Sequence, residues 1–206
     1  IGLKEEMAIG GSIATRIVAA NGGLVKDPAF CRRVMLMGKS IARYCYRPQL
    51  NFRFGILDTA IVNGFSAPGG YVFITRGLVE AARNDDELAG VIAHEISHVT
   101  RRHALKIISR GQFLSGALQV AAGASGDFAP FDDAVDKVTS TLLEKGFDPD
   151  IEFEADAYGA RLAADTGFQE GGLHDFLVQL ESARGSGKIF STHPSLKDRI
   201  KRLEND

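Results

Sequence analysis

The chain has 206 residues, of which 45% are hydrophobic and 24% are charged, and its formal net charge is −2. This size and apolar content suit one globular domain with a sizeable core, so we expect a single domain over residues 1–206. The charges are mixed in sign and the longest basic run is Arg101-Arg102-His103, which argues against a nucleic-acid partner.

Two helices are predicted at the start of the chain. Leu3–Ala20 is compatible with a helix and is followed by an Asn-Gly-Gly stop signal. A second helix is expected to begin at Asp27-Pro28 and to continue to Tyr44. Along such a helix Cys31 and Cys45 would lie about 21 Å apart, well beyond the roughly 7 Å at which Cα atoms can be bridged, so we expect no intramolecular disulfide.

The only clear β region follows these helices. Asn51–Asp58 alternates between apolar and polar residues, and short apolar runs follow at Ala60–Phe65 and Tyr71–Thr75, separated by Ala67-Pro68-Gly69-Gly70. This pattern predicts a small antiparallel sheet beside the next helix. An edge strand there would either align an extended peptide by main-chain hydrogen bonds or serve only as a structural hairpin.

The next helix carries a His-Glu-x-x-His motif. Asn84 is expected to cap it, with Glu87 reaching back to the cap amide. His94 and His98 are one turn apart and therefore face the same way, about 6 Å apart in rise. Neutral imidazoles suit zinc, and Glu95 beside them could take a proton from a zinc-bound water. The motif therefore predicts a zinc site that needs a further ligand.

Candidates for the further zinc ligand can be compared by their positions along the predicted helices. His103 would lie about 140° round a continuous helix from His98 and about 180° from His94, so we expect it to face away from the metal. Glu152 and Asp156 are four residues apart on a predicted helix, where Glu152 can bind zinc and Asp156 can accept the second N–H of a ligand histidine. These carboxylates could equally form an ordinary solvated acidic face.

Four stretches in this order resemble the HtpX-like and CAAX prenyl protease group of zinc metallopeptidases, in its soluble bacterial branch. They are Asn63–Leu78, Asp86–His98, Glu152–Asp156, and His193-Pro194 with Arg199. The resemblance implies a zincin-like α+β domain, mainly α, with its small antiparallel sheet beside the motif helix. It also implies one Zn²⁺ per chain, bound by His94, His98 and Glu152, with Glu95 as general base and Asp156 orienting a ligand.

The resemblance also places His193 near the metal. There its imidazole would either stabilise the oxyanion of the tetrahedral intermediate or close the resting site as a fourth ligand. The alternative is a histidine that only bonds local backbone at the start of a helix. Arg199 is expected to brace this loop, and the flexible Gly185-Ser186-Gly187 run before it would let His193 approach or leave the metal.

The remaining elements are predicted to be helical. Ile107–Ala124 is apolar, but its polar interruptions make it too short to span a membrane, and it is expected to be either a packed core helix or a lid. Further helices are expected at Phe131–Glu144, from Pro149 to about Thr166, at Leu173–Ala183 and at Ser195–Leu203.

The expected function is that of a metalloendopeptidase acting on unfolded or misfolded envelope proteins through a zinc-bound water. The main alternative is a zinc-containing, chaperone-like binding protein with a gated or inactive site. An aminopeptidase would usually carry a Gly-x-Met-Glu-Asn stretch, which this chain lacks. Because the chain begins with Ile1, we expect a processed protein from which an upstream signal, lipid anchor or membrane span has been removed. The resemblance implies the bacterial envelope as its location, either periplasmic or membrane-anchored.

Overall fold

A computed structural model of the chain describes residues 1–110, 130–183, 193 and 196–205. Its described part is mainly helical with a three-stranded sheet, which confirms the predicted α+β class. The elements in chain order are α1 (Leu3–Ala20), α2 (Pro28–Ala42), β1 (Arg53–Leu57), β2 (Gly64–Ala67), β3 (Tyr71–Thr75), α3 (Arg76–Ala81), α4 (Asp85–Thr100), α5 (described over 103–110), α6 (Pro130–Ser140), a π-helical turn (Thr141–Lys145), α7 (Pro149–Asp165), α8 (Gly172–Ser182) and α9 (Leu196–Leu203).

The sheet is mixed, so the prediction of an antiparallel sheet was wrong in one of its two pairings. The strand order is β1-β3-β2: β2 pairs with β3 antiparallel, whereas β1 pairs with β3 parallel. The chain reverses twice, so β3 runs in the direction of β1. Because β3 inserts between β1 and β2, it pairs with β1 in parallel. Gly69 and Gly70 permit the tight return into β3, because both have positive φ, at 78° and 96°. Among the described strands, β2 therefore lies at an edge of the sheet.

Two apolar clusters hold these elements together, one on each face of the sheet. Ile56, Val72 and Ile74 pack with α2, α4 and α8, whereas Leu57 and Phe73 pack with α1, α5 and α6. Successive residues of β1 and β3 therefore face opposite sides of the sheet, as the period of two in a strand predicts. α4 is buried on nearly all sides, and its apolar residues lie at the centre of the first cluster.

The N-terminus of α4 differs in one detail from the predicted capping box. The side chain of Asn84 accepts a hydrogen bond from the Glu87 amide at 2.9 Å, as predicted. The Glu87 carboxylate, however, accepts from the amide of Arg83 at 2.8 Å, not from the cap amide. Arg83 also binds Glu87 through its guanidinium at 2.9 Å, and this attraction directs the carboxylate one residue further back.

The other predicted helices are found with ends that shift by a few residues. α2 ends at Ala42, and Cys31 and Cys45 are both free thiols. The predicted helix over Ile107–Ala124 is described only to residue 110; its remainder and the Gly185–Gly187 run lie outside the described residues. Among the described helices, none is long and apolar enough to cross a lipid bilayer.

Candidate metal centre

Four buried side chains meet between α4, α7 and the chain preceding α9. They are His94, His98, Glu152 and His193, and one donor atom from each lies within 4.8 Å of the others. His94 and His98 come together because they are one turn apart on α4, with Nε2 atoms 3.0 Å apart. Glu152 lies in the first turn of α7, which begins at Pro149. Gly159 on α7 allows the close approach, since a Cβ there would lie 2.9 Å from the backbone of His94.

The spacing of these donors fits a tetrahedral metal ion. Bonds of about 2.0–2.1 Å place tetrahedral ligand atoms about 3.3 Å apart. Here His94 Nε2 is 3.4 Å from His193 Nδ1 and 3.6 Å from Glu152 Oε2, and His98 Nε2 is 3.7 Å from Glu152 Oε1. Glu152 Oε1 is buried and makes no hydrogen bond to any described residue. A bound cation would satisfy that oxygen.

The charges of the buried side chains also favour a divalent ion. Glu95, Glu152 and Asp156 are carboxylates with at most 1% exposure, and Arg199 is the guanidinium buried among them. When its imidazoles are neutral, as a bound metal requires, this set carries two excess negative charges; in the metal-free chain a protonated His193, whose pKa is about 10, offsets one of them. The residues present therefore fit a metal ion of charge +2.

The second nitrogen of His94 faces a carboxylate. Its Nδ1 lies 2.8 Å from Asp156 Oδ1. Arg199 donates to both oxygens of Asp156, at 2.8 and 2.7 Å, and its Nη1 lies 3.2 Å from Glu152. Burial opposes the charged form of both groups, but these partners hold the pKa of Asp156 at about 2, and the two carboxylates raise the pKa of Arg199. Arg199 thus forms an ion pair with α7, and the loop that it is expected to brace lies outside the described residues apart from His193.

Glu95 faces His193 across a small enclosed space. Its Oε1 lies 3.3 Å from His193 Nε2, while His193 Nδ1 lies 2.9 Å from Glu152 Oε2. Burial opposes the charged imidazole of His193, but Glu152 and Glu95 raise its pKa to about 10. Burial also opposes the charged carboxylate of Glu95, but the neighbouring histidines lower its pKa. The cavity between Gly64, Glu95 and His193 is about 10 Å³, room for about one water.

His103 lies outside the donor group, as expected, but it is closer to the site than a continuous helix predicts. His103 Nδ1 lies 2.9 Å from His98 Nδ1, on the side of His98 away from the other donors. The helical angle failed because α4 ends at Thr100 and Arg102 adopts a positive φ of 60°, which redirects the chain into α5. His103 is therefore buried behind a proposed ligand, though it is not among the four donors.

Sequence reasoning also missed Phe147 and Glu154. The Phe147 ring stacks on His98 with centroids 4.5 Å apart, and Glu154 Oε2 lies 3.3 Å from His103 Nε2. Glu154 lies two residues after Glu152, and the spacing alone did not distinguish it from a solvated acid. For Phe147, a lone aromatic residue between two helices, the sequence carries no signal.

Comparison with known proteins agrees with this site. The model of "Peptidase family M48" matches residues 31–206. The β-barrel assembly-enhancing protease of Escherichia coli (strain K12) is 27% identical over 218 residues, covering 100% of this chain and 44% of that protein; its Yersinia pestis counterpart is 26% identical with the same coverage. Mitochondrial metalloendopeptidase OMA1 of Schizosaccharomyces pombe is 30% identical over 75% of this chain and 46% of its own length. The chain spans less than half of each relative.

Proposed function

The chain belongs to peptidase family M48, and from this membership and the site geometry we propose that it is a zinc-dependent metalloendopeptidase. This family agrees with the HtpX-like resemblance of the sequence. The observation that carries the proposal is the buried set of four donors, which lies among three buried carboxylates and one buried guanidinium. Its imidazole and carboxylate donors are those of catalytic zinc sites. We assign His94, His98 and Glu152 as ligands of one Zn²⁺ in a single domain over residues 1–206.

The reaction proposed is hydrolysis of an internal peptide bond. When bound, the metal supplies Lewis acidity that lowers the pKa of a water molecule. Glu95 takes the proton from that water and later delivers it to the leaving amine, and the one-water cavity beside its carboxylate supports this role. Asp156 fixes the Nδ1–H tautomer of His94, and Arg199 keeps Asp156 ionised.

The substrate is proposed to be an extended polypeptide laid along β2. Among the described strands, β2 pairs only with β3 and so offers one edge for an added strand. Its residue Gly64 has a carbonyl 3.4 Å from His193 Nε2, which brings this edge beside the site. The names of the two bacterial relatives refer to β-barrel assembly, and this supports unfolded or misfolded envelope proteins as substrates and the envelope, periplasmic or membrane-associated, as the location.

Glu95→Gln is the test of the reaction. The amide cannot accept a proton, so we expect about one zinc per chain by elemental analysis but nearly complete loss of casein cleavage. Glu170→Gln, at an exposed position, is the matched control and should cleave normally. Undiminished cleavage by Glu95→Gln would refute the mechanism. Casein binding without cleavage by the unmodified protein would favour the chaperone-like alternative.

The ligand assignment has its own test. We expect Glu152→Ala to lose zinc, because it removes a donor, whereas Glu154→Ala should keep one ion at saturating zinc. Zinc retained in Glu152→Ala and lost in Glu154→Ala would exchange the two assignments.

We propose that His193 blocks the resting site as a fourth ligand. Its Nδ1 lies among the donors and its Nε2 occupies the space beside Glu95. His193→Ala should then retain zinc and cleave casein faster. A loss of about 10²- to 10³-fold would instead assign an oxyanion-stabilising role, and unchanged activity would exclude both.

A further inference from the structure

The two motif histidines have different supports at their second nitrogen. His94 Nδ1 meets the Asp156 carboxylate directly at 2.8 Å. His98 Nδ1 meets another imidazole, that of His103, at 2.9 Å, and His103 Nε2 in turn lies 3.3 Å from Glu154 Oε2. A carboxylate therefore supports each histidine on the side of its Nδ1 atom. Asp156 contacts His94 directly, whereas the His103 imidazole lies between His98 and Glu154.

We propose that His103 and Glu154 form a relay that holds His98 in its metal-binding tautomer. This inference rests on the proposed zinc site. His103 and Glu154 act as positioning residues, since neither belongs to the four-donor group.

The proton positions follow from the contacts. Two neutral imidazoles that meet through their Nδ1 atoms need one N–H donor and one acceptor. The Nε2 of His98 points toward His94 and Glu152, so a metal there requires its lone pair and leaves the hydrogen on Nδ1. His98 then donates to His103, and His103 carries its own hydrogen on Nε2, facing the Glu154 carboxylate.

The opposite arrangement loses contacts at both ends. It would put a hydrogen on His98 Nε2, pointing into the donor group, and a lone pair on His103 Nε2, facing a carboxylate oxygen. The carboxylate therefore selects the His103 tautomer, and that tautomer selects the His98 tautomer.

The surroundings keep the relay in place. The positive φ of Arg102 turns His103 under His98, where it is fully buried. Phe147 packs against both rings, with centroid distances of 4.5 and 6.0 Å. At the outer end, the Glu154 side chain is 33% exposed and is held by Arg101, which donates from Nε to Oε1. The relay thus runs from the donor group to the protein surface.

Zinc affinity measured by competition with a fluorescent chelator tests the relay. His103→Phe keeps a planar ring but no nitrogen, and loss of such a partner typically weakens metal binding by about 10- to 100-fold. In His103→Asn the amide oxygen takes the position of Nδ1 and still accepts a hydrogen bond, so we expect recovery of most of that loss. His174→Phe, a half-buried histidine outside the four-donor group, is the control and should bind zinc as the unmodified chain does.

Long-range ¹H–¹⁵N spectra of the zinc-loaded protein give a readout that a packing role would not change. We expect protonated Nδ1 on His98 and protonated Nε2 on His103. Protonated Nδ1 on His103, unchanged affinity in His103→Phe, or equal losses in the Phe and Asn variants would each overturn the relay. Failure of the unmodified chain to bind zinc would instead refute the proposed function.

Discussion

Replacement of Arg199 by leucine should destabilise the protein strongly. Arg199 is completely buried and donates two hydrogen bonds to Asp156, and its Nη1 lies 3.2 Å from Glu152. Arg199→Leu would leave these carboxylates without their cation. Removing one partner of a buried ion pair costs about 3–5 kcal/mol, and we expect the upper end when zinc is chelated, because Glu152 then has only His193 as a counter-charge among the described residues.

Urea unfolding followed by circular dichroism, with zinc and with chelator, measures this cost. Arg199→Leu combined with Asp156→Asn should recover a large part of it, because the buried charge is removed while an amide oxygen still accepts from His94. A cost below about 1 kcal/mol in chelator would equal that of a surface ion pair and would refute the reasoning. So would a double variant no more stable than Arg199→Leu.

Three further predictions concern the fold around the site. Burial lowers the pKa of His103 to about 4, although Glu154 opposes this shift, so between pH 6.5 and 4 the unfolded chain binds a proton that the folded, metal-free chain does not. The free energy of unfolding should therefore fall by up to about 3 kcal/mol over this range, and the urea midpoint of His103→Asn should depend less on pH. Gly159→Ala should lose zinc by elemental analysis because its Cβ would meet the His94 backbone, whereas the unobstructed Gly171→Ala should not. Asn84→Ala should lower the unfolding free energy by about 1 kcal/mol, and no loss would exclude the cap.

The predictions that succeeded depend on short sequence distances. His94 and His98 share a face because four residues nearly complete one helical turn, and Asn84 caps α4 through an amide three residues away. Local stereochemistry determines both features. The position of Glu152 beside these histidines cannot be predicted from local stereochemistry, because the distance between α4 and α7 depends on packing around Gly159. There the resemblance to known metallopeptidases carried the prediction.

Two predictions failed, one because of a long-range pairing and one because of a local backbone angle. Alternating residues identified the strands, but nothing in them shows that β3 inserts between β1 and β2 and so makes one pairing parallel. His103 was misplaced because an ideal helix was extended through Arg102, whose positive φ is uncommon for a residue with a side chain. One backbone angle thus separates a histidine on the far side of the helix from one that contacts His98.

Under the proposed function, the contacts that complete the donor group also oppose catalysis. His193 Nε2 lies 3.3 Å from the Glu95 carboxylate, and the adjoining cavity holds about one water. A water and a substrate carbonyl therefore cannot both fit beside Glu95. His193 must therefore leave for a peptide to enter, and separating it from Glu152 and Glu95 costs free energy. A substrate that pairs along several residues of β2 can offset that cost, whereas a short peptide cannot. The site should consequently favour long, extended chains over small peptides, and His193→Ala should reduce that preference.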